Sequence, residues 1–384
     1  MLVGEKLRLY PTKEQEESFK QFCGTARFIY NKCLAEKINQ YDNSGVSMSL
    51  RDLIKYVQNL KYSGEYDWLL SVPEAVTKQA INDLMKAYSN FFTGLGNFPK
   101  FKKKGRCKES FFQRTDGLRQ IDKTHIKITG IKTPVRMNGE NIIYPVKNPR
   151  VSYDGKYWYL SYSYEVNECN INNANNEIIG VDLGIKSLAV LSNNTTYNNI
   201  NKTKRVKRLK KRKIHLQRRL SKKFEMNKEE CSISKSGKKY IRTNNIEKLK
   251  KRIRIIDRKL RNIRDTYIHQ VTYDLVKAKP NSIVIEDLNV RGMMKNRHLS
   301  KAIQDQCFYK FREYLTYKCK FYGINLIVAD RFFPSSKRCN QCGNIKRNLK
   351  LKDRTYKCDI CGLVIDRDLN ASINLMKYPI IKNT

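Results

Sequence analysis

The stretch Glu177-Ile178-Ile179-Gly180-Val181-Asp182-Leu183-Gly184-Ile185-Lys186-Ser187-Leu188-Ala189-Val190-Leu191-Ser192 reads as a buried strand, a glycine-assisted turn and a second strand, with Asp182 at the end of the first. A carboxylate in an apolar strand carries a desolvation cost unless something pairs with it, and a divalent cation does so well. Alone, an Asp-x-Gly after a strand is more often an ordinary strand-end acid than a catalytic one. The pattern repeats in Asn281-Ser282-Ile283-Val284-Ile285-Glu286-Asp287-Leu288-Asn289, where a second apolar strand ends on Glu286. A helix over roughly Ser300 to Tyr322 and a strand over Ile324 to Val328 follow. Finally Asp366-Arg367-Asp368-Leu369-Asn370-Ala371 opens a helix with Asp368 in its first turn, and Asp366 is the competing carboxylate.

In chain order this gives two strands, a short strand at Thr195 to Asn199, long helices, a strand, a helix, a strand and a helix. That order is RNase H-like and brings two strand ends and one helix together, so Asp182, Glu286 and Asp368 are expected to converge. Three close carboxylates raise one another's pKa, and two Mg²⁺ ions, with Mn²⁺ as a substitute, would offset the charge and support two-metal phosphodiester hydrolysis. Three unrelated strand-end acids are the bland alternative.

Between the last strand and Asp368 stand Cys339-Asn340-Gln341-Cys342 and Cys358-Asp359-Ile360-Cys361, each pair followed by glycine. The spacing predicts a ribbon holding one structural Zn²⁺, because four thiolates close the tetrahedral shell. Lys337, Arg338, Lys346, Arg347, Lys350, Lys352 and Arg354 surround it as candidate phosphate contacts. The other cysteines, Cys23, Cys33, Cys107, Cys169, Cys231, Cys307 and Cys319, are scattered and read as small core residues.

Residues 202–223 carry thirteen Lys or Arg over a broken heptad of Val206, Leu209, Leu216 and Leu220, with Lys213 in the missing position. A second run, Ile246, Leu249, Ile253, Ile256, Leu260, Ile263 and Tyr267, alternates three and four without a break. A polar loop near Ser232 to Gly237 would fold the two into an antiparallel pair. Lys207, Arg208, Lys210, Lys211, Arg212, Arg218 and Arg219 are its candidate nucleic-acid contacts.

The first half is less explicit. Leu2 to Tyr10 is a strand candidate, Thr12-Lys13-Glu14-Gln15 has capping-box spacing, and Phe19, Phe22, Cys23, Ala26, Ile29, Tyr30 and Cys33 mark a buried helical face. Ser71-Val72-Pro73-Glu74 starts another helix carrying Ala80, Ile81, Leu84, Tyr88 and Phe91. Phe98 to Gly105 interleaves aromatics with Lys100, Lys102, Lys103 and Lys104, which suits bases and phosphates or a solvated loop. Strands such as His125 to Ile128 and Tyr157 to Tyr164, with turns at Asn138-Gly139 and Asp154-Gly155, predict a small antiparallel barrel-like unit.

Composition agrees. The 384 residues hold 77 Lys plus Arg against 36 Asp plus Glu, a net charge of +41, which calls for a polyanionic partner; basic residues spread along the whole chain favour nucleic acid over a membrane. No secretory signal or long apolar run is evident, so a cytoplasmic, nucleoid-associated protein is expected.

Gly180-Val181-Asp182-Leu183-Gly184, Glu286-Asp287-Leu288 and Asp368-Leu369-Asn370-Ala371 resemble the RuvC motifs of the TnpB family of transposon-encoded, RNA-guided DNA endonucleases. The resemblance implies Asp182, Glu286 and Asp368 as catalytic acids, a guide RNA derived from the transposon end, double-stranded target DNA, and a zinc domain that helps to load substrate. The expected architecture is multidomain α+β. Residues 1–11 give the first strand of the β-barrel (wedge) unit, 12–92 a helical recognition unit, 93–166 the rest of the β unit and 167–176 a linker. Residues 177–330 form the first part of an RNase H-like (RuvC) α/β domain with a basic helical insert at 202–278, followed by the ribbon at 331–365 and the final helix and tail at 366–384. Two alternatives stay open, a nuclease-inactive guide-directed repressor and a DDE-type transposase. The isolated His125, His215, His269 and His298 offer no His-x-His pair for tyrosine chemistry.

Overall fold

In the computed structural model the described residues are 1–139, 141–166, 175–227, 243–350 and 353–383. They form two compact units, Met1–Val166 and Asn167–Thr384. Among the described residues no helix is long and apolar enough to cross a membrane.

The first unit opens with strand β1 (Leu2–Tyr10) and helix α1 (Lys13–Ser44). Thr12 Oγ1 accepts from the Gln15 amide at 3.3 Å while Gln15 Oε1 accepts from the Thr12 amide at 3.0 Å, the reciprocal cap that the spacing predicts. Helix α2 (Leu50–Tyr62) was not foreseen, although Ser49 and Asp52 form the same box. Helix α3 (Glu74–Phe92) completes a helical core with Ile29, Leu34, Leu53, Ile81 and Leu84 inside.

Strands β2 (Glu109–Phe112), β3 (Arg119–Asp122), β4 (His125–Lys127), β5 (Val135–Met137), β6 (Lys147–Tyr153) and β7 (Trp158–Glu165) join β1 in one antiparallel sheet, ordered β2-β6-β7-β1-β5-β4-β3. The Asp154-Gly155 turn links β6 to β7, with Asp154 Oδ1 accepting two turn amides. Asn138-Gly139 does not make a hairpin of its neighbours: β5 pairs with β1 and β4, and the Asn138 amide donates to the Arg8 carbonyl. Phe19, Phe22 and Cys23 of α1 pack onto Phe111 and Trp158 of this sheet, so the stripe read from the sequence faces a real core.

The second unit is built on a mixed sheet of β8 (Asn175–Leu183), β9 (Ser187–Leu191), β10 (Thr196–Asn198), β11 (Pro280–Glu286) and β12 (Asn325–Ala329), ordered β10-β9-β8-β11-β12. The first three run antiparallel, while β11 lies parallel to both β8 and β12. Strand β8 begins at Asn175, inside the segment expected to be a linker, and residues 167–174 lie outside the described residues.

Helices α4 (Lys204–Met226) and α5 (Asn244–Lys277) connect β10 to β11 and pair through Val206, Leu216, Leu249, Ile256 and Leu260. They run antiparallel, since Lys213 meets Asp257 at 2.6 Å and Lys250 lies over the Phe224 ring. Lys213, the apparent gap in the heptad, thus fills its position with an ion pair. The polar loop expected between the helices, with Cys231, lies outside the described residues, as does Cys169. Short helix α6 (Val290–Met293) precedes α7 (Ser300–Gln306) and α8 (Phe308–Tyr322). The single helix expected over 300–322 is broken at Cys307, whose φ of +56° is left-handed. Gln306, buried before the break, donates from Nε2 to the Gly184 carbonyl at 2.8 Å, a contact that no helical periodicity announces. Of the scattered cysteines, Cys23, Cys33 and Cys319 are buried as expected, whereas Cys107 and Cys307 are only partly so.

Strands β13 (Thr355–Lys357) and β14 (Val364–Asp366) form the ribbon hairpin, and α9 (Arg367–Asn383) closes the unit. The sheet separates two cores. Ile179, Val181, Ile283 and Ile285 point to α5 and α8, where they meet Val271, Leu275, Phe311 and Leu315. Val284 and Ala329 point the other way, onto Leu375 and Tyr378 of α9. Gly180 faces α9 as well, and a Cβ there would lie 1.9 Å from the Ser372 carbonyl oxygen and 2.5 Å from the Met376 nitrogen.

Gly180→Ala therefore forces helix and strand apart, at an expected cost of about 1–3 kcal/mol in urea denaturation. Gly24→Ala, inside α1 with no backbone near its Cβ position, should instead stabilise by roughly 0.5–1 kcal/mol.

Candidate functional site

Register and strand alternation build the site. Strands β8 and β11 pair Val284 with Gly180 and Ile285 with Val181, so the next step sets Glu286 beside Asp182 at the ends of two parallel strands, on the face covered by α9. The two carboxyls are in hydrogen-bonding contact. Burial, then the charges of Glu286 and Asp368, push the Asp182 carboxyl well above its ordinary range. Burial raises Glu286 too, against the hydrogen bonds from Ser335 and Asp182 that favour its ionised form. Ser335 Oγ donates to Glu286 Oε1 at 2.6 Å.

The third acid arrives from α9. Asp368 faces this pair closely enough to perturb both, and Arg367 holds its Oδ1 at 3.0 Å. The competing Asp366 has another task. It is exposed and caps α9, its Oδ1 accepting the amides of Asp368 at 2.9 Å and Leu369 at 3.2 Å. The structure thus brings Asp182, Glu286 and Asp368 together and turns Asp366 away from them.

The Sγ atoms of Cys339, Cys342, Cys358 and Cys361 all lie within 4.8 Å of one another and could hold one metal ion; among the described residues no other such group of three or more ligands is this tight. Cys339 and Cys361 are 3.6 Å apart, Cys342 and Cys358 3.5 Å. Gly343 and Gly362, with φ of +77° and +72°, let each knuckle turn. Amides of Cys361 and Ile360 draw the Cys358 thiol down to about 6, which favours a thiolate ligand.

The first knuckle is strapped to α9. Asn370 and Asn374, both buried, donate from Nδ2 to the Arg338 carbonyl at 2.7 and 2.6 Å, and Asn374 also reaches the Ser335 carbonyl at 2.8 Å. Asn370 Oδ1 accepts the Asn340 amide at 3.1 Å, and Lys377 Nζ donates to the Asn340 carbonyl. Sequence reading missed Ser335, Arg367 and this strap. Only the i, i+4 spacing of Asn370 and Asn374, which puts two amides on one face of the helix, hinted at it.

The basic candidates divide. Lys207, Arg208, Lys211, Arg212, Arg218 and Arg219 are exposed on α4, and Lys204, Arg205, Arg208 and Lys259 line a cleft of about 890 Å³ above Leu209 and Ile263. Lys210 is turned inward, at 2.6 Å from an Asp305 that Arg264 also holds. Lys100, Lys103 and Lys104 are exposed, but Lys102 lies 3.6 Å over the Tyr30 ring while its backbone is fixed by Asn31. Burial lowers its pKa, and its ammonium rests on the ring face. Lys337 is exposed; Arg338 is half-buried beside Gly343.

These features define a multidomain α+β protein whose described residues include a carboxylate cluster, a four-thiol cluster and a basic helix pair. Residues 161–297 match a family described as "Probable transposase", residues 308–375 the "Cas12f1-like, TNB domain", and residues 1–45 a "Helix-turn-helix domain", although here that last segment is a strand and one uninterrupted helix. A Streptomyces pristinaespiralis protein named "Putative RNA-guided DNA endonuclease" is 31% identical over 97% of this chain and 88% of its own length. InsQ of Escherichia coli K12, named in the same words, is 27% identical over 98% and 92%. A cryo-EM structure of a Cas12f1-sgRNA-target DNA complex shares the fold, with a TM-score of 0.58 and 16% identity over 95% of this chain and 83% of that one. The chain belongs to the TnpB family.

A carboxyl whose pKa is raised by folding favours the neutral form, so its contribution to stability is complete below the ordinary value of 3.8 and is lost as pH rises through the folded value. Asp182→Asn should remove that loss. Without added divalent cations the variant is expected to melt above wild type at pH 8, with the gap closing towards pH 4. Equal melting curves at pH 8 would mean that Asp182 carries no such penalty.

Proposed function

We propose that this chain is an RNA-guided DNA endonuclease whose second unit is a RuvC-like nuclease domain with Asp182, Glu286 and Asp368 as catalytic acids. The observation that carries the reading is the meeting of Asp182 and Glu286 at the ends of adjacent parallel strands, under the helix that supplies Asp368. The sheet order, three antiparallel strands followed by two parallel ones reached through helices, supports an RNase H-like fold. The first unit's antiparallel sheet is read as the wedge unit, and its helices as the recognition unit.

Asp182 and Glu286, both raised by burial and by the charge of Asp368, form with it a donor set that divalent cations would relieve, and Mg²⁺ fits it. Such ions, when bound, lower the pKa of the attacking water and stabilise the leaving 3′ oxygen. The chain's own part is positional. Ser335 fixes one oxygen of Glu286, Arg367 fixes Asp368, and the strap through Asn370 and Asn374 holds α9 against the first knuckle. The four thiols fit one structural Zn²⁺, since Zn–S bonds of about 2.3 Å place tetrahedral sulfurs roughly 3.8 Å apart.

The exposed basic face of α4 and the net charge of +41 suit a nucleic-acid backbone read without sequence, leaving base recognition to a guide RNA derived from the transposon end and to its pairing with target DNA. An intracellular, nucleoid-associated location accords with that partner. A guide-directed repressor without cleavage has no support in the site, where all three acids are in place.

With matched guide and target, Asp182→Ala, Glu286→Ala and Asp368→Ala should each abolish cleavage and keep target binding. Asp366→Ala should still cut, losing about 1 kcal/mol of stability with its helix cap. Wild-type cutting matched by Asp182→Ala would sink the assignment. Cys339→Ser should drop bound zinc below one per chain by elemental analysis and weaken cleavage through the strap.

A further inference from the structure

The carboxylate cluster carries a cation of its own. Arg367 immediately precedes Asp368, and two of its donors fall on one oxygen of that acid, with Nη2 at 3.0 Å and Nε at 3.3 Å from Asp368 Oδ1. Both side chains are largely withdrawn from water, at 14% and 16% exposed. Burial and the other two acids push the Asp182 carboxyl up and the Arg367 charge opposes them, so its field reaches beyond its own partner. Arg312 and Arg331, which also stand near the strand end, are committed to Asp287 instead, at 2.9 and 2.6 Å.

This cation does not serve the helix that bears it. Arg367 is the first residue of α9, where the positive end of the helix dipole disfavours a cation. The helix already has its cap, since Asp366 Oδ1 accepts the amides of Asp368 and Leu369. A guanidinium drawn into a partly buried place against the dipole is held there by the acids. Its backbone amide donates to the Arg354 carbonyl at 2.8 Å, next to β13 of the ribbon, so the side chain starts from a fixed point.

We infer that Arg367 is a resident counter-cation on the Asp368 oxygen that a divalent ion would take, and that it thereby sets how much ion the cluster needs before it loads. This rests on the reading of Asp182, Glu286 and Asp368 as the metal ligands of a nuclease, and adds a competitor for one of them. A charge-assisted hydrogen bond uses the same lone pairs that a bond of about 2.0–2.1 Å to Mg²⁺ requires. An ion must therefore take the oxygen from Arg367 and then sit beside a like charge, and both weaken its binding. Arg367 acts through Asp368 and is a positioning residue. Were it only a brace that orients Asp368 for ions using the other oxygen, its removal would weaken ion binding; as a competitor, its removal strengthens it. The two roles give opposite signs.

The test titrates the full chain, zinc retained and other divalent ions removed, with Mn²⁺ at neutral pH, and reads free Mn²⁺ by its paramagnetic resonance signal. Subtracting the Asp182→Ala titration isolates the cluster. Arg367→Gln should bind Mn²⁺ there at least about tenfold more tightly than wild type, the effect of losing one nearby charge. Arg367→Lys, which keeps the charge, should stay close to wild type. The gain should vanish when Asp368→Asn is present in both chains being compared. At one Mn²⁺ concentration the ion should also raise the melting temperature of Arg367→Gln by more than that of wild type. Arg367→Met, which keeps the apolar stem, replaces Arg367→Gln if that variant does not fold.

Mn²⁺ binding by the uncharged variant that is equal to or weaker than wild type overturns the competitor role. Cleavage of a matched target by the wild type separates the two readings. Tighter Mn²⁺ binding by Arg367→Gln in a protein that does not cut removes the nuclease and keeps the competitor; a wild type that cuts, with no tightening in Arg367→Gln, does the reverse.

Discussion

The backbone of α9 passes so close to β8 that residue 180 can have no side chain, and the geometry of the carboxylate cluster follows from that approach. Strand pairing alone sets Asp182 beside Glu286. It cannot supply the third acid, which stands at the start of a helix more than eighty residues later in the chain. Close packing at Gly180, continued by Leu375 and Tyr378 against Val284 and Ala329, brings the first turn of that helix over the two strand ends. Asp366 then sets the turn itself by capping it, so the two neighbouring acids divide the labour of fixing the helix and entering the cluster.

The same proximity has an electrostatic consequence. Carboxyls that face each other in a half-buried setting resist ionisation, and both Asp182 and Glu286 are pushed up, first by burial and then by the charge of Asp368 among others. A site of this kind stores instability that a ligand relieves, in line with the general exchange of stability for function at active sites. The surrounding hydrogen bonds show how the strain is contained. Ser335 fixes one oxygen of Glu286, and Arg367 pairs with Asp368 and offsets part of the cluster's negative charge.

What could be read in the sequence was whatever rests on local chemistry. The capping box at Thr12 and Gln15, the heptads of α4 and α5, the paired Cys-x-x-Cys and the apolar strands ending in acids all declare themselves within a few residues. What could not be read depends on distant partners. The left-handed break at Cys307 goes with Gln306 reaching the Gly184 carbonyl, and Lys102 points inward because Tyr30 and Asn31 receive it. Strand β5 lies between β1 and β4 rather than beside β6, since a turn-forming Asn-Gly does not dictate which edge a short strand joins. Helix α2 is a different case: its Ser49–Asp52 box and the stripe of Leu50, Leu53, Ile54, Val57 and Leu60 are both local and legible.

The ribbon's place between β12 and α9 gives it a structural role that its thiols alone would not. Cys339 sits within the segment 335–340, whose side chains and carbonyls contact Glu286 at one end and Asn370, Asn374 and Lys377 at the other. A cluster held by four sulfurs resists deformation more than a loop of that length would. Rigidity at Cys339 is therefore shared with an acid on the sheet and with the helix that carries another. The two metal-competent groups of the unit are thus joined through one short segment, whose hydrogen bonds reach an acid on the sheet and the helix that carries another.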